Sequence, residues 1–344
     1  MKGAPLMHER ASPLESLSPP ARERLRRCPQ PAWVAPMLAV LTHERFSDKD
    51  WVFERKLDGE RCLAFREGRN LRLLSRRQQR LNTSYPELVD ALRAQSCDGF
   101  IADGEVVAFE GSRTSFARLQ QRMQVRDPER ARRSGVPVFY YLFDVLYLDG
   151  HDTTQLELRD RKALLRRAFS FSDPLRYLPH RNSEGEAYYR EACRRGWEGV
   201  IAKRAAAPYQ HRRSRDWLKF KCGNEQEFVI GGYTDPKGSR VGFGALLVGF
   251  YEGGVLRYAG KVGTGYSEAT LRDLAARLAV LERDEPPFAG EGLPRSGVHW
   301  VRPELVAQVG FTELTRDRKL RHPRFLGLRR DKRPREVTLE RPVP

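Results

Sequence analysis

Cysteine is scarce in this chain and never closely paired: Cys28, Cys62, Cys97, Cys193 and Cys222 are spread over 344 residues without one Cys-x-x-Cys. That spacing offers neither a zinc site nor an evident disulfide framework. Long apolar runs are also missing. No stretch approaches the roughly 20 residues that a membrane-spanning helix needs, the N-terminus has no charged-then-apolar signal pattern, and no segment repeats. Acidic residues are the scarcer charges, 45 Asp and Glu against 62 Lys and Arg, which leaves a formal charge of +17. Such an excess points to a polyanionic partner. Nucleic acid leads, because each phosphate met by Lys or Arg releases a condensed counterion. An anionic membrane surface is the rival, but there is no basic amphipathic helix to serve it. The expected address is a reducing cytosol or nucleoid, with no membrane partner.

What is present suits two domains, with 40% hydrophobic residues to build their cores. Residues 1–30 carry proline, serine and arginine without periodicity and read as a flexible leader. A first domain is expected over 31–223. It holds strands near 71–74, 101–109, 138–148, 199–202 and 217–221, helices over 86–94, 116–124, 158–169 and 184–195, and a basic loop at 126–133. From 224 to 344 the texture changes to short strands at 227–233, 245–251 and 255–262 with glycine-rich turns. One helix carries Leu271, Leu274, Leu278 and Leu281 at three-and-four spacing. Short strands with a single helix suit a small Greek-key barrel such as an OB-fold.

The chemistry centres on 53–61, Phe-Glu-Arg-Lys-Leu-Asp-Gly-Glu-Arg. Apolar runs on both sides read as a strand end, a glycine turn and a return strand, so Lys56 sits at a rim. A lone lysine there is most often a solvated cation paired with Asp58. As a nucleophile it needs a depressed pKa, supplied by burial or by neighbouring positive charge. Lys219 and Lys221 alternate along a strand and so face one side, as two cations gripping one phosphate require. They are expected to lower the pKa of Lys56 by like-charge repulsion.

The order Lys-x-Asp-Gly-x-Arg resembles the nucleotidyl-lysine motif of ATP-dependent DNA ligases, RNA ligases and capping enzymes. Its companions follow in sequence: Ser75-Arg76, Asp103-Gly104-Glu105, Phe143-Asp144, Glu198-Gly199, Lys219-Phe220-Lys221 and Arg329-Arg330-Asp331-Lys332. Together they resemble the covalent nucleotidyltransferase superfamily, above all the bacterial ATP-dependent ligase module of nonhomologous end joining, over about 36–332. The resemblance implies an α+β fold of two domains, an ATP-grasp-like adenylyltransferase (nucleotidyltransferase) domain and a C-terminal OB-fold β-barrel. It implies ATP and Mg²⁺ or Mn²⁺ as cofactors.

The same resemblance assigns roles. Lys56 forms a phosphoramidate with AMP, and Glu54 accepts from the adenine amino group. Phe143 stacks on adenine. Glu198 holds the metal, Glu105 the metal or the ribose, and Lys219 and Lys221 the phosphate. Arg61 and Arg76 contact ribose or the 5′-phosphate of a nick, and Arg212 and Arg213 belong to the DNA-binding surface. Arg329, Asp331 and Lys332 orient pyrophosphate, which requires the second domain to close over the first. The branch usually carries glycine where His211 stands, which implies strain or a shifted loop if that glycine has a positive φ.

The expected partners are nicked duplex DNA and, since no polymerase or phosphoesterase segment is visible, end-joining functions of the Ku and polymerase types, carried either by separate proteins or by further parts of a larger multidomain ligase. The protein is expected to act as a monomer in the bacterial cytoplasm. An RNA ligase, a capping-type enzyme and a catalytically silent DNA-binding scaffold are the alternatives. An NAD-dependent ligase is disfavoured for want of a four-cysteine zinc site.

Overall fold

The structure, a computed structural model, describes residues 12–340 apart from 124, 237, 239, 290, 291 and 295. The first eleven residues of the expected leader and the last four of the expected second domain lie outside it. The first domain is built on two sheets. A seven-stranded sheet runs in the order Arg26–Arg27, His151–Asp152, Phe139–Leu148, Gly99–Val107, Glu60–Glu67 and Asn70–Ser75, with Leu175–Tyr177 pairing parallel to Phe139–Leu148. A five-stranded sheet runs His180–Asn182, Trp51–Lys56, Gly199–Arg204, Arg213–Lys221, Leu38–Leu41. Met37, Leu63, Phe65, Ile101, Phe143 and Trp217 pack in a common core to which both sheets contribute. The second domain is an OB-fold barrel whose sheet orders Val255–Val262, Leu246–Glu252, Asn224–Thr234, Val298–Phe311 and Glu282–Arg283. Arg324–Leu328 pairs with Val298–Phe311, and helix Glu268–Ala279 buries Leu271, Leu274 and Leu278 against the barrel.

Several expectations need correction. Lys56 does not start a hairpin: its strand belongs to the five-stranded sheet and Glu60–Glu67 to the seven-stranded one, so residues 57–59 cross between sheets. Gly59 serves close approach and not a reverse turn, because a Cβ there would lie 2.2 Å from the Val106 carbonyl oxygen. Residues 12–30 are not a loose leader. Leu14, Leu17 and Ala21 are buried in the first core, and Arg26–Arg27 pairs with His151–Asp152. The expected basic loop holds helix Pro128–Arg132, started by Pro128 and by Asp127, whose Oδ1 accepts the Arg130 N–H at 2.7 Å.

Cys193 and Cys222 form a disulfide between the end of helix Gly185–Arg194 and the end of strand Arg213–Lys221, a pairing that their separation of 29 residues concealed. The longest described strand of the barrel, Val298–Phe311, carries no clear strand signal in the sequence because Arg302, Pro303 and Glu304 interrupt its apolar alternation. His211 has no positive φ. Its Nδ1 lies 3.0 Å from the Ala35 carbonyl, and the anticipated strain is absent.

Candidate active site

A cleft of roughly 200 Å³ opens where the two sheets and the barrel meet. The two-residue period of the five-stranded sheet turns Glu54 and Lys56, Ile201 and Lys203, and Trp217, Lys219 and Lys221 toward it. The alternate residues Phe53, Val200, Ala202 and Phe220 fill the core behind. Glu198 is placed by register, since Gly199 pairs with both Lys56 and Lys221. At Gly199 a Cβ would meet the Phe220 carbonyl oxygen at 1.9 Å, so the sheet closes up beside Lys56 only with glycine there. The seven-stranded sheet contributes Arg61, Glu105 and Phe143, and the barrel side contributes Glu227, Arg329, Asp331 and Lys332.

The Lys56 ammonium is ion-paired with Glu198 Oε1. Burial works against its charge, but Glu198, helped by Asp58 and Glu225, outweighs burial and holds its pKa above the usual lysine range. This reverses the expected depression by Lys219 and Lys221. Those two lysines instead meet one carboxylate, Glu340, which lies beyond the last motif and was not foreseen. Lys219 is itself pushed down to about 8, first by burial and then by Lys221.

Glu54 is fully buried between Lys162 and Lys203, the latter at 2.6 Å. Burial pushes its carboxyl up, yet the two lysines hold it below the ordinary glutamate value. Lys203 also stacks on the rings of Phe143 and Trp217, 4.1 and 4.0 Å from their centroids. Neither lysine was singled out in the sequence. The signal available for Lys203 was its even spacing from Gly199 along the strand.

Arg61 is bound through Nε and Nη2 to both oxygens of Asp103, each at 2.6 Å, and its guanidinium lies 4.7 Å from the Phe143 centroid. Asp103 also accepts from the Tyr209 hydroxyl at 2.6 Å. It is therefore an anchor for Arg61, while Glu105, two residues on, faces the cleft. Burial raises the Glu105 carboxyl to about 7, although Arg61 and Lys56 oppose the shift.

Arg76 and Arg213 line the cleft and Arg212 is exposed beside it. Arg329 is forked onto Asp331 at 2.9 and 2.8 Å and lies over Phe116, and Lys332 meets Glu227 at 2.9 Å. The barrel is closed onto the first domain, for Arg77 donates to the carbonyls of Arg330 and Lys332 at 2.9 and 3.3 Å, and Gln120 to that of Leu328.

Among the described residues no three His, Cys, Asp or Glu side chains converge as a ready-made metal cage. The donors nevertheless fit a cation that takes one or two carboxylates and completes its shell with substrate oxygens. Among the described residues Glu198 Oε2 is buried without a hydrogen-bond partner, and next to Glu198 the carboxyls of Asp58 and Glu225 are raised to about 6 and about 7, mainly by burial and then by Glu198. A divalent cation would satisfy both features.

A lysine in a closed interdomain cleft, flanked by carboxylates and by further lysines and arginines, has the make-up of a nucleotidyltransferase site. The chain belongs to the ATP-dependent DNA ligases: residues 36–221 match the ATP dependent DNA ligase domain, and 239–332 match the ATP dependent DNA ligase C terminal region. It is 39% identical over 342 residues to the multifunctional non-homologous end joining protein LigD of Pseudomonas aeruginosa, covering 96% of this chain and 40% of that protein. Identity to the LigD of Mycobacterium tuberculosis is also 39%, over 319 residues, with 89% and 40% covered. Among solved structures, mycobacterial DNA ligase D complexed with ATP and MES superposes with a TM-score of 0.63 at 35% identity, covering 89% of this chain and 98% of that one. The chain thus spans about 40% of the length of these LigD relatives.

Proposed function

We propose that this chain joins 3′-hydroxyl and 5′-phosphate ends of nicked duplex DNA through a lysyl-adenylate, as the ligase module of bacterial non-homologous end joining. The observation that carries this reading is the position of the Lys56 amine, on one sheet face with Lys219 and Lys221 and under the closed barrel.

In the first step Phe143 receives adenine and Glu54 its amino group, while Lys219 and Lys221 grip the phosphate beside Lys56. As Glu198 withdraws, Lys56 gives up its proton to water and its Nζ attacks the α-phosphorus. An N–P bond forms, the α–β phosphoanhydride breaks, and pyrophosphate leaves toward Arg329 and Lys332. A divalent cation, Mg²⁺ or Mn²⁺, held by Glu198 and Glu105, would neutralise triphosphate charge and draw Glu198 off the lysine. In the second step the 5′-phosphate of the nick displaces Lys56 from phosphorus. In the third the 3′-hydroxyl attacks that 5′-phosphate and AMP leaves. Arg61, whose Nη1 is left over by its pairing with Asp103, serves ribose or the nick phosphate, and Arg76, Arg212 and Arg213 meet DNA phosphates. The partners are Ku-type and polymerase proteins or domains of the end-joining apparatus, and the module works as a monomer at the nucleoid.

Incubation with ATP and Mg²⁺ followed by intact-mass measurement tests the reading. Wild-type protein should gain the mass of one adenylate and pass it to nicked DNA, and Lys56→Ala should gain nothing. Adenylation that persists in Lys56→Ala would sink the assignment.

A further inference from the structure

Residues beyond the Arg329–Lys332 run turn back along the barrel. Val337 is buried in its core and its carbonyl accepts the Tyr251 N–H at 2.7 Å. One side chain, Gln226, then staples the following residues: its Nε2 donates to the Thr338 carbonyl and its Oε1 accepts the Glu340 N–H, both at 3.0 Å. The staple delivers Glu340 into the cleft, where Oε1 pairs with Lys219 and Oε2 lies 3.0 Å from Lys221. One anion bridging two lysines through two oxygens has the charge sign and the spacing of a phosphate with two non-bridging oxygens.

Two anions cannot share those ammonium groups without repulsion, so a nucleotide phosphate must displace the carboxylate. There is somewhere for it to go. A second pocket of roughly 340 Å³ adjoins the cleft, lined by Lys221 and Glu340 themselves together with His43, Arg45, Asn224 and Gln226. Arg45 Nε is buried there with no hydrogen-bond partner among the described residues. We propose that Glu340 is a built-in phosphate mimic that occupies Lys219 and Lys221 in the empty site and sets nucleotide affinity by being exchanged for the substrate phosphate. The inference rests on the reading of Lys219 and Lys221 as the phosphate grip.

The exchange explains how a site assembled from many cations stays folded without its substrate. Burial pushes the Glu340 carboxyl up, but Lys221 and Lys219 pull it down to about 2, so it remains an anion throughout the neutral range and its charge stands in for the phosphate. Gln226 holds the backbone of residue 340 while the side chain changes partners, which keeps the exchange local.

Calorimetric binding of α,β-methylene-ATP with Mg²⁺ tests the proposal, because this analogue cannot adenylate Lys56. Glu340→Gln should bind the analogue about tenfold more tightly than wild type, equivalent to ~1.4 kcal/mol. Gln226→Leu, which keeps the carboxylate but loosens its segment, should fall between the two. Unchanged or weaker binding by Glu340→Gln, in protein whose melting temperature shows it folded, overturns the proposal; a stability change without tighter binding marks Glu340 as a structural residue only. Lys219→Met separates the two levels. If it fails to weaken analogue binding, the phosphate-grip reading falls; if it weakens binding while Glu340→Gln changes nothing, only the exchange falls.

Discussion

Arg161 grips both oxygens of Asp144 at 2.7 and 3.0 Å with both side chains fully buried, whereas Lys56 meets Glu198 at the edge of a cleft with 19% of its side chain exposed. Arg161 also donates through Nη1 to the Leu156 and Ala207 carbonyls, so four of its five N–H groups are committed and it has no reason to move. Arg61 and Asp103 belong to the same permanent kind. Across the cleft the pairings are loose by comparison. Glu198 uses one oxygen and, among the described residues, leaves the other without a hydrogen-bond partner, Glu340 is shared by two lysines, and Lys332 and Glu227 come from opposite ends of the barrel sequence. A buried ion pair is held because breaking it strands a desolvated charge. A rim pair can be traded when a phosphate offers the lysine a better anion. The scaffold and the chemistry therefore use the same residue types, and the completeness of each pairing separates them.

This contrast can be broken in three ways. Arg161→Ala should cost about 3–5 kcal/mol or prevent folding, since Asp144 would be left charged and fully buried. Denaturant unfolding measures it, and a loss below about 1 kcal/mol would erase the distinction. Glu60 is an intermediate case, a buried carboxylate whose partner is the Tyr85 hydroxyl at 2.6 Å and not a cation. Burial raises its carboxyl from 4.5 to about 8. A carboxyl raised on folding contributes stability that is present below pH 4.5 and lost as pH climbs through 8. Glu60→Gln should therefore match wild type near pH 4.5 and exceed it on the order of 5 kcal/mol above pH 8. A stability difference that does not grow with pH would contradict the assigned burial cost. The smallest stability effect is expected for Lys221→Met, within about 1 kcal/mol, because Lys219 retains Glu340. The same variant should lose adenylation, measured as mass gain per minute, by about a hundredfold or more, and near-normal adenylation would remove Lys221 from the machinery.

The residues around Lys56 were legible because strand periodicity and motif order are local properties. Alternation alone puts Lys219 beside Lys221 and Glu54 beside Lys56, and the apolar run that became Phe139–Leu148 could only be a buried strand. Other features were hidden for identifiable reasons. The crossover at 57–59 looks like a hairpin because a glycine that permits close packing is written with the same letter as one that permits a turn. Asp103 and Glu105 have the same chemistry, and only the position of Arg61 across the strand pair makes one an anchor and leaves the other for the cleft. The packing of 12–30 depends on Leu14, Leu17 and Ala21, three apolar residues too few to show a period.

The order of residues alone was enough to single out Lys56, Lys219 and Lys221 as candidates and to give the family's two-domain plan, since these depend on side-chain chemistry and on repeats of two or a few residues. Which carboxylate neutralises which cation required the packed molecule. Glu340 reaches Lys219 across 121 positions of chain, and Lys56 keeps its proton because Glu198 is adjacent in space. Coulomb energy and desolvation depend on distance and burial, neither of which is written along the chain.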